Sequence, residues 1–241
     1  VISTERRDAV EIITMDKPER RNAVDASDCD ALANAVLGAV DSGARAVLLT
    51  GAGPHFCAGA DLTGVEDESF AGHLRRALNS LRDVPIVTIA AVHGAALGAG
   101  TQLAIACDLR VVSPDARFGI PSAKLGLMVD HWTVQRVATL AGHGPARAML
   151  LAAEEIHAAD ALTLGLANRE GHRDAAIAWA EKIATLAPLT IAGQKLALNR
   201  LEPALDDPDV AAAFRRAWQS EDLKEGRAAF AAKRSPVFRG R

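Results

Sequence analysis

Tyrosine is absent from the 241 residues and lysine is scarce, 6 against 21 arginines. With abundant alanine, this is the bias of a GC-rich genome more than a functional signal. Cysteine is nearly absent too. Cys29, Cys57 and Cys107 form no CxxC and no Cys/His spacing, which excludes a disulfide framework and a zinc site and leaves reduced, mostly buried thiols. There is no basic excess, since 27 Lys+Arg face 30 Asp+Glu for a formal net charge of −3. That balance argues against a nucleic-acid protein, whose phosphate-binding face is basic. No apolar run reaches the roughly 18 residues of a membrane span. Glu5, Arg6, Arg7 and Asp8 stand where a secretory signal needs its apolar region, so the expectation is a soluble, cytoplasmic protein.

What is present is a core. Apolar residues make up 49% of the chain against 24% charged, which excludes disorder. No Ser/Gly-rich or Pro-rich linker divides it. Strands are expected at Val10–Met15, Ala46–Thr50, Ile86–Val92 and Leu109–Val112. Helices are expected at about Asp25–Asp41 with Asp25 as N-cap, Glu66–Asp83 and Gly98–Ala106. From about Trp132 the pattern is helical, with candidates at Arg147–Leu151, Ala158–Leu164, Ala175–Leu186, Leu189–Leu201 and Val210–Lys233, broken at Pro188, Pro203 and Pro208. Buried strands alternating with helices predict an α/β core, followed by a helical tail.

Two stretches place a glycine-rich turn directly after a buried strand, Gly51 to Asp61 and His93 to Gln102. Small residues there let a ligand approach the backbone, and a helix starting at such a turn aims free N–H groups at developing negative charge. Tight helix–sheet packing would use the same residues. A dinucleotide fingerprint is excluded, because Pro54 and Phe56 interrupt the first turn and no GxGxxG completes it.

Taken in order, the motifs resemble those of the crotonase (enoyl-CoA hydratase/isomerase) superfamily over nearly the whole chain. They are Lys17-Pro-Glu-Arg-Arg-Asn-Ala23, Phe56-Cys-Ala-Gly-Ala-Asp61, Val92 to Gly100, Ala106-Cys-Asp-Leu-Arg110, Phe118-Gly-Ile-Pro121, Leu125-Gly126, and the tail Ser220 to Gly226 and Ala229 to Phe238. The resemblance implies a spiral of ββα units over residues 1–185 and a helical region, 186–241, that packs a homotrimer or a dimer of trimers and reaches CoA. It implies no permanently bound cofactor, but a fatty acyl-CoA ligand in lipid metabolism, possibly long-chain, and possibly another lipid-metabolism enzyme as partner. The thioester oxygen would lie in an oxyanion hole formed by the backbone N–H groups of Ala60 and Ala99. Arg20, Arg21, His55, Ala58 and, from a neighbouring subunit, Lys233 are candidates for CoA contact; for Arg20, Arg21 and Lys233 a solvated surface charge is the competing role.

Hydratases of the family carry glutamates at the positions held here by Gln102 and Ser122. Neither residue is a base near neutral pH. Positioned acid–base groups contribute roughly 10²–10⁴ in rate each, so efficient hydration is not expected. Asp130 is the remaining acid near the site. Its two open roles are the N-cap of a helix starting near Trp132 and the single acid/base of an isomerase-type or residual hydratase reaction. Trp132, with His131 beside it, is read as lining the acyl pocket, with plain core packing as the alternative. His93 is expected to be a satisfied structural histidine, and Asp61 to cap a turn or pin its loop.

Overall fold

The computed structural model describes residues 1–61, 69–201 and 208–239. The chain begins with β1 (Ile2–Arg7), β2 (Val10–Met15), α1 (Ala26–Asp41), β3 (Ala46–Gly51), α2 (Ser69–Asp83), β4 (Val87–Val92), β5 (Ala95–Leu97), α3 (Ala99–Ala106), β6 (Leu109–Val112) and β7 (Arg117–Gly119). It continues with α4 (His131–Ala141), α5 (His143–Leu151), β8 (Ile156–His157), α6 (Ala158–Leu164), β9 (Arg169–Glu170), α7 (Arg173–Ala184), α8 (Pro188–Asn199), α9 (Pro208–Trp218) and α10 (Glu221–Ala231). A large sheet runs β1-β2-β3-β4-β6-β9, parallel except for the β1/β2 hairpin, and a small sheet runs β5-β7-β8. This is the open spiral of strand and helix units that the motifs imply.

The central strands read as unbroken apolar runs because both their faces are covered. Ile13, Val47, Leu49 and Val92 point into the main core with α1 and α2, while Ile12, Leu48, Ile89 and Val111 point to the other face, where Ala176, Ile177, Ala180 and Ile183 of α7 cover them. α1 starts at a capping box: Asp25 accepts from the Asp28 N–H at 2.9 Å, and Asp28 accepts from the Asp25 N–H at 3.1 Å.

Several expectations need adjusting. The Val210–Lys233 helix is two helices, because Ser220 accepts the Leu223 N–H at 3.1 Å and starts α10 anew. The α2 helix is described from Ser69, so its expected start at Glu66 lies outside the described residues, as does the break at Pro203. β1 escapes periodicity because ISTERR is a mostly exposed edge strand, and β5, β7, β8 and β9 have too few residues to show a pattern. All three cysteines are buried and free. Among the described residues no group of His, Cys, Asp and Glu could hold a metal, and no single helix is long and apolar enough to cross a membrane.

Candidate active site

The site is built where the two glycine turns meet. Cys57 and Ala96 form a bridge: the Cys57 N–H donates to Ala95 O at 3.0 Å and the Leu97 N–H to Cys57 O at 2.9 Å. Arg21 and Val24 hold the first turn from the other side, through Ala58 N–H to Arg21 O at 2.9 Å and Val24 N–H to Gly59 O at 2.9 Å. Gly59 has φ +118° and Gly98 φ +52°, values that L side chains rarely adopt. Gly100 is needed for closeness, since a Cβ there would collide with the Cys57 carbonyl.

These constraints leave the Ala60 and Ala99 N–H groups with no protein acceptor among the described residues. Ala99 is the first residue of α3, where the helix offers no partner four residues back. Both alanines line a cavity of about 450 Å³. Thr101 fixes the next wall: its Oγ1 lies 2.7 Å from Ala96 O and 2.9 Å from Gly119 O, and it accepts the Gly119 N–H at 3.1 Å. The segment leading to Ser122 is thereby pinned beside the first turn of α3.

Gln102 and Ser122 both line this cavity, 6% and 8% exposed. Gln102 donates through Nε2 to Thr133 Oγ1 at 2.7 Å, and Thr133 in turn donates its N–H to Asp130 Oδ1 at 2.8 Å. Asp130 is the N-cap of α4 and the one acid on the cavity wall among the described residues. Five cations, Arg21, Arg75, Lys124, Arg227 and Arg234, share that wall.

The other candidates are spread more widely. Ala58 lines the cavity but His55 does not; its Nδ1 accepts the Ala95 N–H at 3.2 Å. Burial, then the nearby Arg21 and Arg117, push the His55 pKa below its ordinary value, so the ring is neutral. Arg20 grips the carboxylate of Asp61 at 2.8 and 2.9 Å, which fixes the end of the first turn. His93 bonds the Gly53 carbonyl through Nε2 at 3.0 Å. Lys233 follows the end of α10 and is not on the wall, although Arg234 and Pro236 are. His131 and Trp132 line an adjacent cavity of about 450 Å³, which shares Arg75, Asp130 and Phe214 with the first. Cys57, deep behind the turn, has its thiol pushed up to about 12 by burial, which makes it a poor nucleophile.

No sequence motif marks the aromatic side of the cavity. Phe214 and Trp218 of α9 and Phe230 of α10 line it, with Trp218 Nε1 donating to Met128 O at 2.8 Å. The four-residue spacing of Phe214 and Trp218 puts both on one helix face, but nothing local in the sequence says what that face covers.

A family model described as Enoyl-CoA hydratase/isomerase matches residues 5–241. A probable enoyl-CoA hydratase, echA6, from Mycobacterium tuberculosis is 44% identical, with 100% of both chains covered. A short-chain-enoyl-CoA hydratase from Clostridium acetobutylicum is 34% identical over 95% of this chain and 94% of its own. The crystal structure of a carnitinyl-CoA hydratase from Mycobacterium avium superposes with a TM-score of 0.88 at 36% identity, covering 100% of this chain and 98% of that one.

Proposed function

The chain belongs to the enoyl-CoA hydratase/isomerase family, and from that premise we propose that it binds fatty acyl-CoA thioesters in lipid metabolism without hydrating them efficiently. One observation carries the reading. The cradle of Ala60 and Ala99 N–H groups opens into the cavity, while the two positions where family hydratases keep glutamates hold Gln102 and Ser122. Gln102 is tied to Thr133, and its amide has no basic lone pair to deprotonate water. The cradle can hold a thioester oxygen, and nothing at those two positions can activate a nucleophile.

A homotrimer or dimer of trimers belongs to the same proposal, with residues 186–241 as the assembling region. Its support is the apolar surface of α8 and its flanks, where Leu189 is 87%, Leu198 64% and Leu201 78% exposed. In such an assembly Lys233 would reach a neighbour's CoA. The protein would hold or present the acyl group to another lipid-metabolism enzyme in the cytoplasm.

A second reading is favoured by the position of Asp130 between the two cavities. Its carboxylate accepts one bond as the α4 cap and still faces the wall, so it could move a proton on an acyl chain whose enolate the cradle holds. Steady-state assays with an enoyl-CoA separate the readings. The binding reading expects no hydration or isomerisation above the uncatalysed rate. Turnover abolished by Asp130→Asn and retained in Gln102→Ala would establish the alternative instead.

A further inference from the structure

α10 carries most of its charge in pairs. Glu221 holds Lys224 Nζ at 2.8 Å, Glu225 takes two guanidinium nitrogens of Arg234 at 2.6 and 2.8 Å, and Asp222 accepts the Arg239 N–H at 2.7 Å. Arg227 differs from its neighbours. It lies on the wall of the cradle cavity with its Nε buried and without a hydrogen-bond partner, and no ion pair involves it among the described residues. Gly226 explains its placement. A Cβ at 226 would collide with the Leu125 carbonyl, so α10 lies directly on the Pro121–Leu125 turn that carries Ser122.

The surrounding wall is largely apolar, with Leu125, Leu127, Phe214, Trp218 and Phe230 on it. A guanidinium whose donors are partly stripped of water there is costly unless an anion meets it. None of the described residues provides that anion: Asp130, the acid on the wall, makes no ion pair with Arg227, and Glu225 is held by Arg234. We propose that Arg227 is an anion-binding residue of the cavity, taking a phosphate or carboxylate group that the ligand itself supplies. Guanidinium geometry suits either group through paired N–H donors. The proposal rests on the acyl-CoA reading of the cavity and adds to it a charged contact from the protomer's own last helix.

Calorimetric titrations of wild type and Arg227→Met with hexanoyl-CoA, hexanoyl-pantetheine and adipyl-CoA test it, with thermal midpoints reporting on folding. Methionine keeps the length of the side chain and removes its charge. A loss of about tenfold or more on hexanoyl-CoA, with hexanoyl-pantetheine unchanged, assigns Arg227 to the phosphates of CoA. A loss confined to adipyl-CoA assigns it to a carboxylate on the acyl chain. Arg227→Lys, which keeps a cation, should retain much of the affinity and serves where the methionine variant folds poorly. Unchanged affinity for all three ligands overturns the proposal, as does an equal loss on hexanoyl-pantetheine, which carries no anion. A wild type that binds none of the three instead overturns the acyl-CoA reading beneath it.

Discussion

Gly59 and Gly98 hold the two loops in a shape that leaves the Ala60 and Ala99 N–H groups without acceptors among the described residues. Adding a Cβ at Gly59 would press it to 3.1 Å from Leu97 O at a positive φ, so Gly59→Ala should cost about 1–2 kcal/mol of stability and weaken acyl-CoA binding together. Urea melts and a binding titration check both effects; a stability loss with intact affinity would detach the turn from ligand binding. At the degenerate positions, Gln102→Glu with Ser122→Glu should raise hydration measurably above the wild-type background. Thr133 is already placed to donate to a carboxylate at 102. A double variant no better than background would mean the cavity itself has diverged from a hydratase site. The glycines were legible as turns after buried strands, and Gln102 and Ser122 only because the surrounding motifs resemble a family whose hydratases carry glutamates there. Arg227 was not, because only packing distinguishes it from the paired charges on either side of it.

At the scale of elements, α1 and α8 are each fixed by a charged anchor. Partial burial opposes the ionisation of Asp25, but the Ser27 hydroxyl, Lys17 ammonium and Asp28 N–H outweigh it and hold its carboxyl well below the usual range. A carboxyl depressed in the fold gives its full stabilisation above its unfolded value near 3.8 and loses it as pH falls through the folded one. Asp25→Asn, which retains a capping side chain, should therefore be less stable than wild type near neutral pH, and the gap should narrow below 3.8. Denaturant melts at both pH values measure it, and a gap that widens in acid would contradict the assignment.

α8 is tied to α2 and to the residues just before β4 and β6 by Lys195, 7% exposed, which donates to Leu81 O, Ile86 O and Asp108 Oδ2 at 3.2, 2.9 and 2.7 Å. Asp108 also accepts the Thr88 N–H at 2.8 Å. Lys195→Met leaves that carboxylate without its cation and should cost about 3 kcal/mol in a urea melt. A change within about 0.5 kcal/mol would show that α8 is held by other contacts. Helix existence was legible here from apolar spacing, whereas this anchor joins residues far apart in sequence and left no local pattern.

Over the whole molecule, the apolar strand runs and the ordered motifs disclosed the spiral, since a sheet buried on both faces needs continuous apolar strands. They did not disclose the return of the tail. α9 has no fully buried residue of its own, yet Phe214 and Trp218 line the cavity, and that placement depends on Ser220 breaking the helix and on Trp218 reaching the Met128 carbonyl. The result is a cavity lined by two backbone N–H groups that lack acceptors among the described residues, by five cations, and by Gln102 and Ser122. A titration calorimetry comparison of octanoyl-CoA with free CoA tests this most directly. Binding at least about tenfold tighter for the acyl thioester is the predicted result; equal affinity, or no binding of either, would contradict the account.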